Sequence, residues 1–466
     1  MAMTMSSGVT TVHLEVDRIL SLFHLSKEQL HTVMCRLREE MERGLSRDTY
    51  EEAPVRMLPT FIRSLPAGRV NGSFLALDLG GTNFRVLRVK FGSPCEGVNH
   101  VASETYRIPN ELMQASGQQL FDYIVDCIAG FLSNQSIKEP LPLGFTFSFP
   151  YKQIGLDQGI LLNWTKGFNI PDCVGKDVVQ LLREAIQRRQ ELDLEVVVII
   201  NDTVGTLMSC AYEDPNCEVG LIVGTGTNIC YMEQMRNIDK LDGNDGVMCI
   251  NTEWGAFGES VKRPLMDIVN EFDKLTDEQS QHPGKQIFEK MISGLLLGRL
   301  VQNILLNLKE KGAIFSGIEQ HRLDLHGLFE TKYLSLIESD TGDLLHVKSI
   351  LEKFNLSCRT EDCRLVQKVC EAVTRRAAQL CAAGLATVLE KMREARQQDH
   401  MMMTIGVEGS LYSLHPQFSR ILEDTVKDLA PKCEVNFRHS KDGSGWGAAL
   451  AAAMTGAKYH GNTEIF

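Results

Sequence analysis

Apolar residues follow two different periods along this chain, and each period predicts one kind of element. Recurrence at three- and four-residue intervals predicts amphipathic helices over residues 12–44, 117–132 and 370–396. Within the first region, Ser26 and Gln29 have the spacing of a capping box. We expect the apolar side of each helix to pack into a core.

Alternating or continuous apolar runs predict strands between these helices, most clearly over residues 141–150 and 194–200. In the first run, Thr146 and Ser148 alternate with three phenylalanines, so they share one face of the strand. That face could bind a ligand or form a solvated edge. Strands interleaved with helices indicate an α/β fold.

Two stretches share one pattern of strand, glycine turn, Thr-Asn and strand. Residues 74–86 place Asp78 before a Gly80-Gly81 turn, and residues 218–232 contain the turn Gly224-Thr225-Gly226. Glycine lets the backbone approach an anion closely, so each turn could hold a phosphate, although ordinary hairpins also favour glycine. A neighbouring carboxylate could hold Mg²⁺ through water. The repetition suggests a duplicated domain whose halves face each other across a cleft.

Composition narrows the class of protein. The 466 residues exceed one ordinary core, and 43% apolar with 23% charged residues is typical of a folded globular chain. A net charge of −12 argues against nucleic-acid or anionic-membrane partners. The 13 cysteines are scattered without a Cys-x-x-Cys pair, which favours reduced core thiols. No signal peptide or membrane-spanning run is evident, so we expect a cytoplasmic protein.

The strongest candidate for catalysis follows the strand over residues 194–200. Ligands of open α/β sheets bind beyond the carboxyl ends of strands, where Asp202 could accept a proton from an alcohol attacking a phosphate. Alternatively, Asp202 or Thr203 could cap a helix over residues 204–210. In the loop 161–168, Lys166 could neutralise a phosphoryl group or remain solvated, whereas Trp164 is expected to pack.

Residues 77–86, Leu-Asp-Leu-Gly-Gly-Thr-Asn-Phe-Arg-Val, resemble the first phosphate motif of the hexokinases, within the actin and sugar-kinase superfamily. The second turn resembles that family's second phosphate motif. No Walker A or His-Arg-Asp sequence is present, which excludes P-loop and protein-kinase functions. The resemblance covers residues 15–458 and is greatest to the single catalytic unit of vertebrate hexokinases and glucokinase.

The resemblance implies an α/β fold of two ribonuclease-H-like (actin-like ATPase) domains, small and large, flanking a central cleft. The small domain would comprise residues 68–202 plus 446–460, and the large domain residues 12–67 plus 203–445. A helix of small residues over 443–454 would return to the first domain and form the hinge.

The implied activity is ATP-dependent phosphorylation of a hexose, with glucose favoured, at its 6-hydroxyl. Asp202 would act as the base and Lys166 would assist it. The sugar would contact Ser148, Thr165, Lys166, Asn201, Asp202, Asn228 and Glu253. The nucleotide site would include Asp78, Gly80, Gly81, Thr82, Asn83, Gly224, Thr225, Thr331, Gly409 and Ser410. Asp78 would also hold Mg²⁺ through water. We expect the protein to bind hexose and ATP and no macromolecular partner. We also expect it to be a monomer.

Several positions depart from the family pattern. Arg299 is aligned with a sugar-binding glutamate, Glu408 with an aspartate, and Ser413 and Trp446 with basic residues. Because a guanidinium only donates hydrogen bonds, Arg299 predicts weaker sugar binding. An alternative is therefore a sugar or nucleotide sensor with weak or lost catalysis. An actin-like ATPase without a sugar would not explain the Asn-Trp-Thr-Lys-Gly-Phe loop at 163–168.

Overall fold

The structure is a computed structural model, and it describes residues 14–66, 70–81, 83–92, 100–260, 262–319, 321–323, 329–356, 358–440 and 442–459. The strands of these residues are β1 (Leu58–Pro59), β2 (Gly72–Leu79), β3 (Asn83–Phe91), β4 (His100–Arg107), β5 (Leu141–Phe147), β6 (Tyr151–Gly155), β7 (Gln158–Leu161), β8 (Leu194–Ile200), β9 (Cys217–Val223), β10 (Thr227–Gln234), β11 (Val247–Asn251), β12 (Met401–Glu408) and β13 (Cys433–His439).

The helices are α1 (Lys27–Leu45), α2 (Gly117–Asn134), α3 (Val178–Arg189), α4 (Asp202–Glu213), α5 (Glu271–Glu278), α6 (Ile287–Ile292), α7 (Leu297–Glu310), α8 (Lys332–Glu338), α9 (Leu345–Lys353), α10 (Thr360–Ala395), α11 (Ser410–Leu414), α12 (Phe418–Leu429) and α13 (Gly443–Tyr459). A further helical segment covers residues 14–21. None of the helices in the described ranges is long and apolar enough to cross a membrane.

The two large sheets repeat one topology. The first sheet has the order β4-β3-β2-β5-β8, and the second has the order β1-β11-β10-β9-β12-β13. In the first sheet β4, β3 and β2 are antiparallel, whereas β2, β5 and β8 are parallel. In the second, β11, β10 and β9 are antiparallel, and β9, β12 and β13 are parallel. The predicted duplication is therefore visible in the architecture, with β1 as an added edge strand.

The last strand of each repeat leads into a helix at the centre of the molecule. β8 continues into α4 and β13 into α13, and these two helices pack against each other. α13 also contacts β2 and β5 of the first sheet, whereas α4 contacts β9 and β12 of the second. Apolar residues of both helices and both sheets form one core between the halves. Separate cores lie under α2 and α3 and under the helices around α10.

Most predicted elements are observed, with differences at their ends. The strand at 194–200 has its predicted bounds, and Ser26 and Gln29 form the capping box of α1. The helix predicted over 12–44 is interrupted by a turn and loop at residues 22–26. The strand predicted over 141–150 ends at Phe147. The helix predicted from residue 370 begins ten residues earlier, because Val366 and Val369 continue its buried side.

The face of β5 that carries Thr146 is covered by protein. Thr146 is fully buried, and its hydroxyl donates a 2.9 Å hydrogen bond to the carbonyl of Ser444 in α13. Ser148, just beyond β5, is also buried. A solvated edge is therefore excluded at both positions.

Glycine allows the two central helices to cross with their backbones in contact. A β-carbon on Gly447 of α13 would lie 2.1 Å from the carbonyl oxygen of Gly205 in α4. A β-carbon on Gly205 would lie 2.8 Å from Cα of Ser444. Because both obstacles are backbone atoms, neither can be relieved by a change of rotamer.

This crossing predicts a stability difference between two Gly→Ala variants. Gly447→Ala should lower the free energy of unfolding by about 1 to 3 kcal/mol through overpacking. Gly130→Ala is the matched control, since, apart from neighbouring backbone of α2 itself, no atom of the described residues lies within 4 Å of the added β-carbon. The control should be neutral or up to about 1 kcal/mol more stable, because alanine favours helix. Urea unfolding followed by circular dichroism measures both, and equal stabilities would contradict the close crossing.

Candidate active site

The candidate site lies where three strands of the first sheet end. Asp78 is the penultimate residue of β2, Ser148 follows β5, and Asp202 follows β8 as the first residue of α4. Asn201 caps α4 by accepting a 3.1 Å hydrogen bond from the Thr203 amide. Of the alternatives left open for this position, neither Asp202 nor Thr203 is the N-cap residue, because α4 begins at residue 202 and leaves Asn201 before its first turn. The Thr203 amide also donates a 2.9 Å hydrogen bond to Oδ1 of Asp202. Asp202 is thereby held at the cleft.

The side chain of Lys166 links the first glycine turn to the end of β5 through hydrogen bonds. Its backbone is left-handed, with φ of 55°, and its ammonium donates 2.8 Å hydrogen bonds to the carbonyls of Gly80 and Ser148. Behind it, Trp164 is buried against Phe168 and donates a hydrogen bond to a backbone carbonyl. Trp164 therefore packs as predicted, and Lys166 is fixed over the turn. Thr165, between them, is half-buried.

On the opposite side of the cleft, two asparagines orient Glu253. The Oε1 atom of Glu253 accepts hydrogen bonds from Asn251 at 2.9 Å and from Asn228 at 3.1 Å. The Glu253 amide in turn donates to Oδ1 of Asn228 at 3.1 Å. Within the described residues, Oε2 of Glu253 accepts no hydrogen bond. This oxygen can therefore accept one from a ligand hydroxyl.

The structure adds Glu289 of α6, a site residue that sequence reasoning missed. Its Oε2 accepts a 2.9 Å hydrogen bond from the Thr227 amide at the start of β10. A β-carbon on Gly226 would lie 2.6 Å from that oxygen, so the second glycine turn leaves room for the carboxylate. A sequence signal did exist, because Glu289 is the sole acidic residue between 279 and 299.

Asp202, Glu253 and Glu289 form an electrostatically crowded carboxylate cluster. Burial is the main cause that raises the pKa of each carboxyl group, and the pKa of Glu253 reaches about 7. The negative charge of Asp202 raises the pKa of both glutamates further, whereas the Lys166 ammonium opposes the rise at all three. A hydrogen bond from Ser148 also favours the charged form of Asp202. The cluster provides acceptors for several hydroxyl groups and one candidate base.

The first glycine turn lies next to an arginine-bound carboxylate. Asp78 Oδ2 accepts hydrogen bonds from Arg85 at 2.7 Å and from the Ser444 hydroxyl at 2.8 Å. Oδ1 of Asp78 lies beside Gly80 and accepts no hydrogen bond from the described residues. Gly81 lies beside the aliphatic part of Lys166, and Asn83 is exposed at the start of β3. Thr82 lies outside the described residues.

Two predicted nucleotide-site segments, at Thr331 and at Gly409-Ser410, converge on the second glycine turn. The carbonyl of Gly224 accepts a 2.8 Å hydrogen bond from Gly294, whose own carbonyl accepts one from the Thr331 hydroxyl. Gly409 has a φ of 129°, and a β-carbon there would lie 2.2 Å from the carbonyl of Val223. This contact brings Ser410, the first residue of α11, beside the turn. The carbonyl of Thr225 accepts a hydrogen bond from the amide of Leu295, the residue after Gly294.

Comparison with known proteins decides the family. Two family models, both described as hexokinase, match residues 15–212 and 218–454. A hexokinase of Schistosoma mansoni complexed with glucose superposes with a TM-score of 0.88 and is 41% identical, covering 96% of this chain and 99% of that one. This chain belongs to the hexokinase family. The hexokinase structure also confirms the predicted fold class.

Longer hexokinases are more similar in sequence. Hexokinase-1 of Rattus norvegicus is 54% identical over 454 residues, which cover 97% of this chain and 49% of that protein. Human hexokinase HKDC1 is 53% identical over 455 residues, with 97% and 49% covered. The chain thus spans about half the length of these hexokinase relatives.

The structure corrects the alignment of Arg299 with a sugar-binding glutamate of the hexokinases. Glu289 occupies the carboxylate cluster, ten residues before Arg299. Arg299 lies in the first turn of α7, and burial alone lowers its pKa, without an effect from any site carboxylate. The predicted repulsion between Arg299 and the sugar therefore has no structural basis.

The other departures from the hexokinase pattern have local explanations. Trp446 packs against Phe91 and Tyr212, with ring centroids 5.0 and 6.1 Å away, so it belongs to the core between the halves. Glu408 accepts hydrogen bonds from the Thr206 hydroxyl and the Ser444 amide, and burial raises its pKa to about 7. The Ser413 hydroxyl donates a 2.9 Å hydrogen bond to the carbonyl of Gly409, the residue before α11.

The residues around Asp78 fit the Mg²⁺ that accompanies ATP. Mg²⁺ is commonly held by one or two carboxylates together with substrate phosphates and water. Asp78 offers one carboxylate oxygen toward the first turn, while Arg85 and Ser444 fix the other. The described residues contain no group of three or more metal-binding side chains. This arrangement suits a metal that enters with the nucleotide.

Two variants separate Glu289 from Arg299 as the sugar ligand. Glu289→Gln should weaken glucose binding by about 5- to 150-fold, because one charged acceptor is lost. Arg299→Glu should leave the glucose dissociation constant within about twofold of wild type, because residue 299 lies outside the cluster. Isothermal titration with glucose measures both constants. Tighter glucose binding by Arg299→Glu would instead support the alignment of residue 299 with the sugar-binding glutamate of the hexokinases.

The pKa of Glu253 predicts a pH-dependent stability effect. Its folded pKa of about 7 exceeds the usual value near 4.5, so its stabilising contribution is complete below pH 4.5 and is lost as pH rises through 7. Glu253→Gln should therefore raise the melting temperature by about 2 °C or more at pH 8 and by less at pH 5. Scanning fluorimetry without sugar tests this. Exposed Glu278→Gln is the control, and a pH-independent gain would argue against the assignment.

Proposed function

We propose that this protein transfers the γ-phosphoryl group of ATP to the 6-hydroxyl of a hexose, with glucose preferred. The observation that carries the proposal is the position of Asp202 at the carboxyl end of β8, near enough to Ser148 and Lys166 that both lower its pKa and near enough to Glu253 and Glu289 that it raises theirs. Hydroxyl acceptors, a candidate base and two phosphate-binding turns therefore share one cleft. The glucose in the Schistosoma mansoni complex supports the choice of sugar.

Asp202 removes the proton of the attacking hydroxyl in this mechanism. Burial raises the pKa of its carboxyl group, which makes the carboxylate a stronger base than an exposed aspartate. Glu253 and Glu289 accept hydrogen bonds from other sugar hydroxyls, and Asn228 holds Glu253 in position through its side-chain amide. The sugar is thereby oriented with one hydroxyl toward Asp202.

Backbone amides of the two glycine turns hold the phosphates, and the Lys166 ammonium lies beside the transferring group. Because Lys166 already bonds the carbonyls of Gly80 and Ser148, its charge is in place before the reaction begins. Mg²⁺, when bound with ATP, neutralises charge on the phosphates. Asp78 would hold it through water, and Arg85 orients that carboxylate.

Closure of the cleft would exclude water as a competing acceptor. We propose a small domain of residues 68–202 plus 446–460 that rotates against a large domain of residues 12–67 plus 203–445. The packed pair α4 and α13 links the two sheets and is the natural hinge. We also propose that the protein acts in the cytoplasm as a monomer.

A non-catalytic sensor is less well supported than an enzyme. Its main motivation was Arg299, which lies outside the carboxylate cluster, and Trp446 is accounted for by packing. An actin-like ATPase without a sugar leaves the fixed Lys166 loop unexplained. Release of ADP that depends on glucose separates the enzyme from both alternatives.

Substitution of the proposed base tests the mechanism. Asp202→Ala should lower glucose-dependent ADP release by about 10²-fold or more, while glucose still protects the protein against thermal unfolding. Asp193→Ala, an exposed position before the other end of β8, is the matched control and should retain activity. A coupled assay for ADP gives the rates. Undiminished turnover of Asp202→Ala would remove Asp202 from its role.

A further inference from the structure

A second cavity lies behind α6, on the side opposite the carboxylate cluster. Its volume is about 650 Å³, within the range of small-molecule binding sites. α5, α6 and the first turns of α7 form its walls together with residues 258–260 and 263–269. Most of its lining is apolar, and Leu265, Met291 and Leu300 of that lining are buried.

The acidic residues that line this cavity all have cationic partners. Asp273 forms a buried bidentate pair with Arg376. Glu259 is paired with Lys285 and Asp277 with Lys290. The cavity therefore offers no unpaired carboxylate among its described lining residues.

Two cationic side chains at the rim of the cavity have no such ion-pair partner among the described residues. Arg263 and Lys274 line the cavity and are exposed, and neither forms an ion pair or side-chain hydrogen bond with the described residues. The local charge is thus positive at the rim, whereas the buried lining is mainly apolar, with Asp273 neutralised by Arg376. This combination is complementary to a ligand with an apolar body and one anionic end.

α6 connects this cavity to the carboxylate cluster. Ile287, Lys290 and Met291 of this six-residue helix line the cavity, whereas Glu289 bonds Thr227 in the cleft. Gly294, just beyond the helix, bonds Gly224 of the second glycine turn. A ligand that shifts α6 therefore acts on both the glutamate and the turn.

We propose that the cavity is an effector site for amphipathic carboxylates and is coupled to the sugar pocket through α6. Arg263 and Lys274 bind the carboxylate, and the apolar lining holds the alkyl chain. The binding half of the proposal is independent of hexose phosphorylation. The coupling half rests on the proposed sugar site at Glu289.

Octanoate is a direct probe of binding. Isothermal titration should give a dissociation constant of about 1 mM or tighter, and octylammonium, with the same chain and opposite charge, should bind at least about tenfold more weakly. The double variant Arg263→Ala, Lys274→Ala should weaken octanoate binding about fivefold or more. Lys262→Ala is the control, because this exposed neighbour does not line the cavity.

The outcomes are distinct. Absence of octanoate binding to wild type, or an equal loss in Lys262→Ala and the double variant, overturns the site. Circular dichroism checks that the surface variants remain folded.

Glucose titration with and without saturating octanoate tests the coupling. The glucose dissociation constant should change about threefold or more, and octanoate affinity should change by the same factor when glucose is bound. A change within twofold overturns the coupling. Failure of glucose to bind at all would contradict the proposed function, while the octanoate titration would still decide the site.

Discussion

The site depends on one ammonium group that acts on three partly buried carboxylates. Lys166 is the shared cation that opposes the raised pKa values of Asp202, Glu253 and Glu289. One positive charge cannot neutralise three, so ionising the whole cluster at neutral pH costs stability. In the proposed function, a sugar that donates hydroxyl hydrogen bonds to these carboxylates would offset that cost.

The duplicated topology explains how residues so distant in sequence reach one cluster. In each repeat, the glycine turn joins an antiparallel pair, and parallel strands beside it end at the same edge of the sheet. The pairing of α4 with α13 turns those edges toward each other. Asp78 and Asp202 therefore come from one half, whereas Asn228 and Glu253 come from the other. The cleft therefore results from the packing of the two repeats, and no single loop forms it.

Local patterns were sufficient to predict the elements and much of the candidate site. The β-branched residues of β8 strongly favour a strand over a helix. The position of Asp202 just beyond the carboxyl end of a strand could therefore be predicted from sequence. The convergence of Thr331 and Ser410 on Gly224 depends on tertiary contacts, and the family resemblance was needed to predict it. The domain boundaries stay a prediction, because the contacts describe packing and not relative motion.

The errors arose where tertiary packing decides between nearby positions. Glu289 and Arg299 lie on consecutive helices, and sequence spacing alone did not establish which helix meets the second glycine turn. Likewise, the burial of Trp446 depends on Phe91 and Tyr212, which are hundreds of residues away in sequence. The cap at Asn201 required the start of α4 to be known to one residue, and helix ends are the least predictable part of a pattern.

Glu289 also shows how a carboxylate can be fixed without an ion pair. Its oxygen is held by the Thr227 amide, and the missing side chain of Gly226 provides the space it occupies. This constraint comes from the backbone, so it does not depend on the rotamer of a second side chain. Its other oxygen accepts no hydrogen bond from the described residues and can accept one from a ligand. Among the described residues Glu289 has no direct ionic partner, and in the proposed function a cation at that oxygen would compete with the sugar hydroxyl.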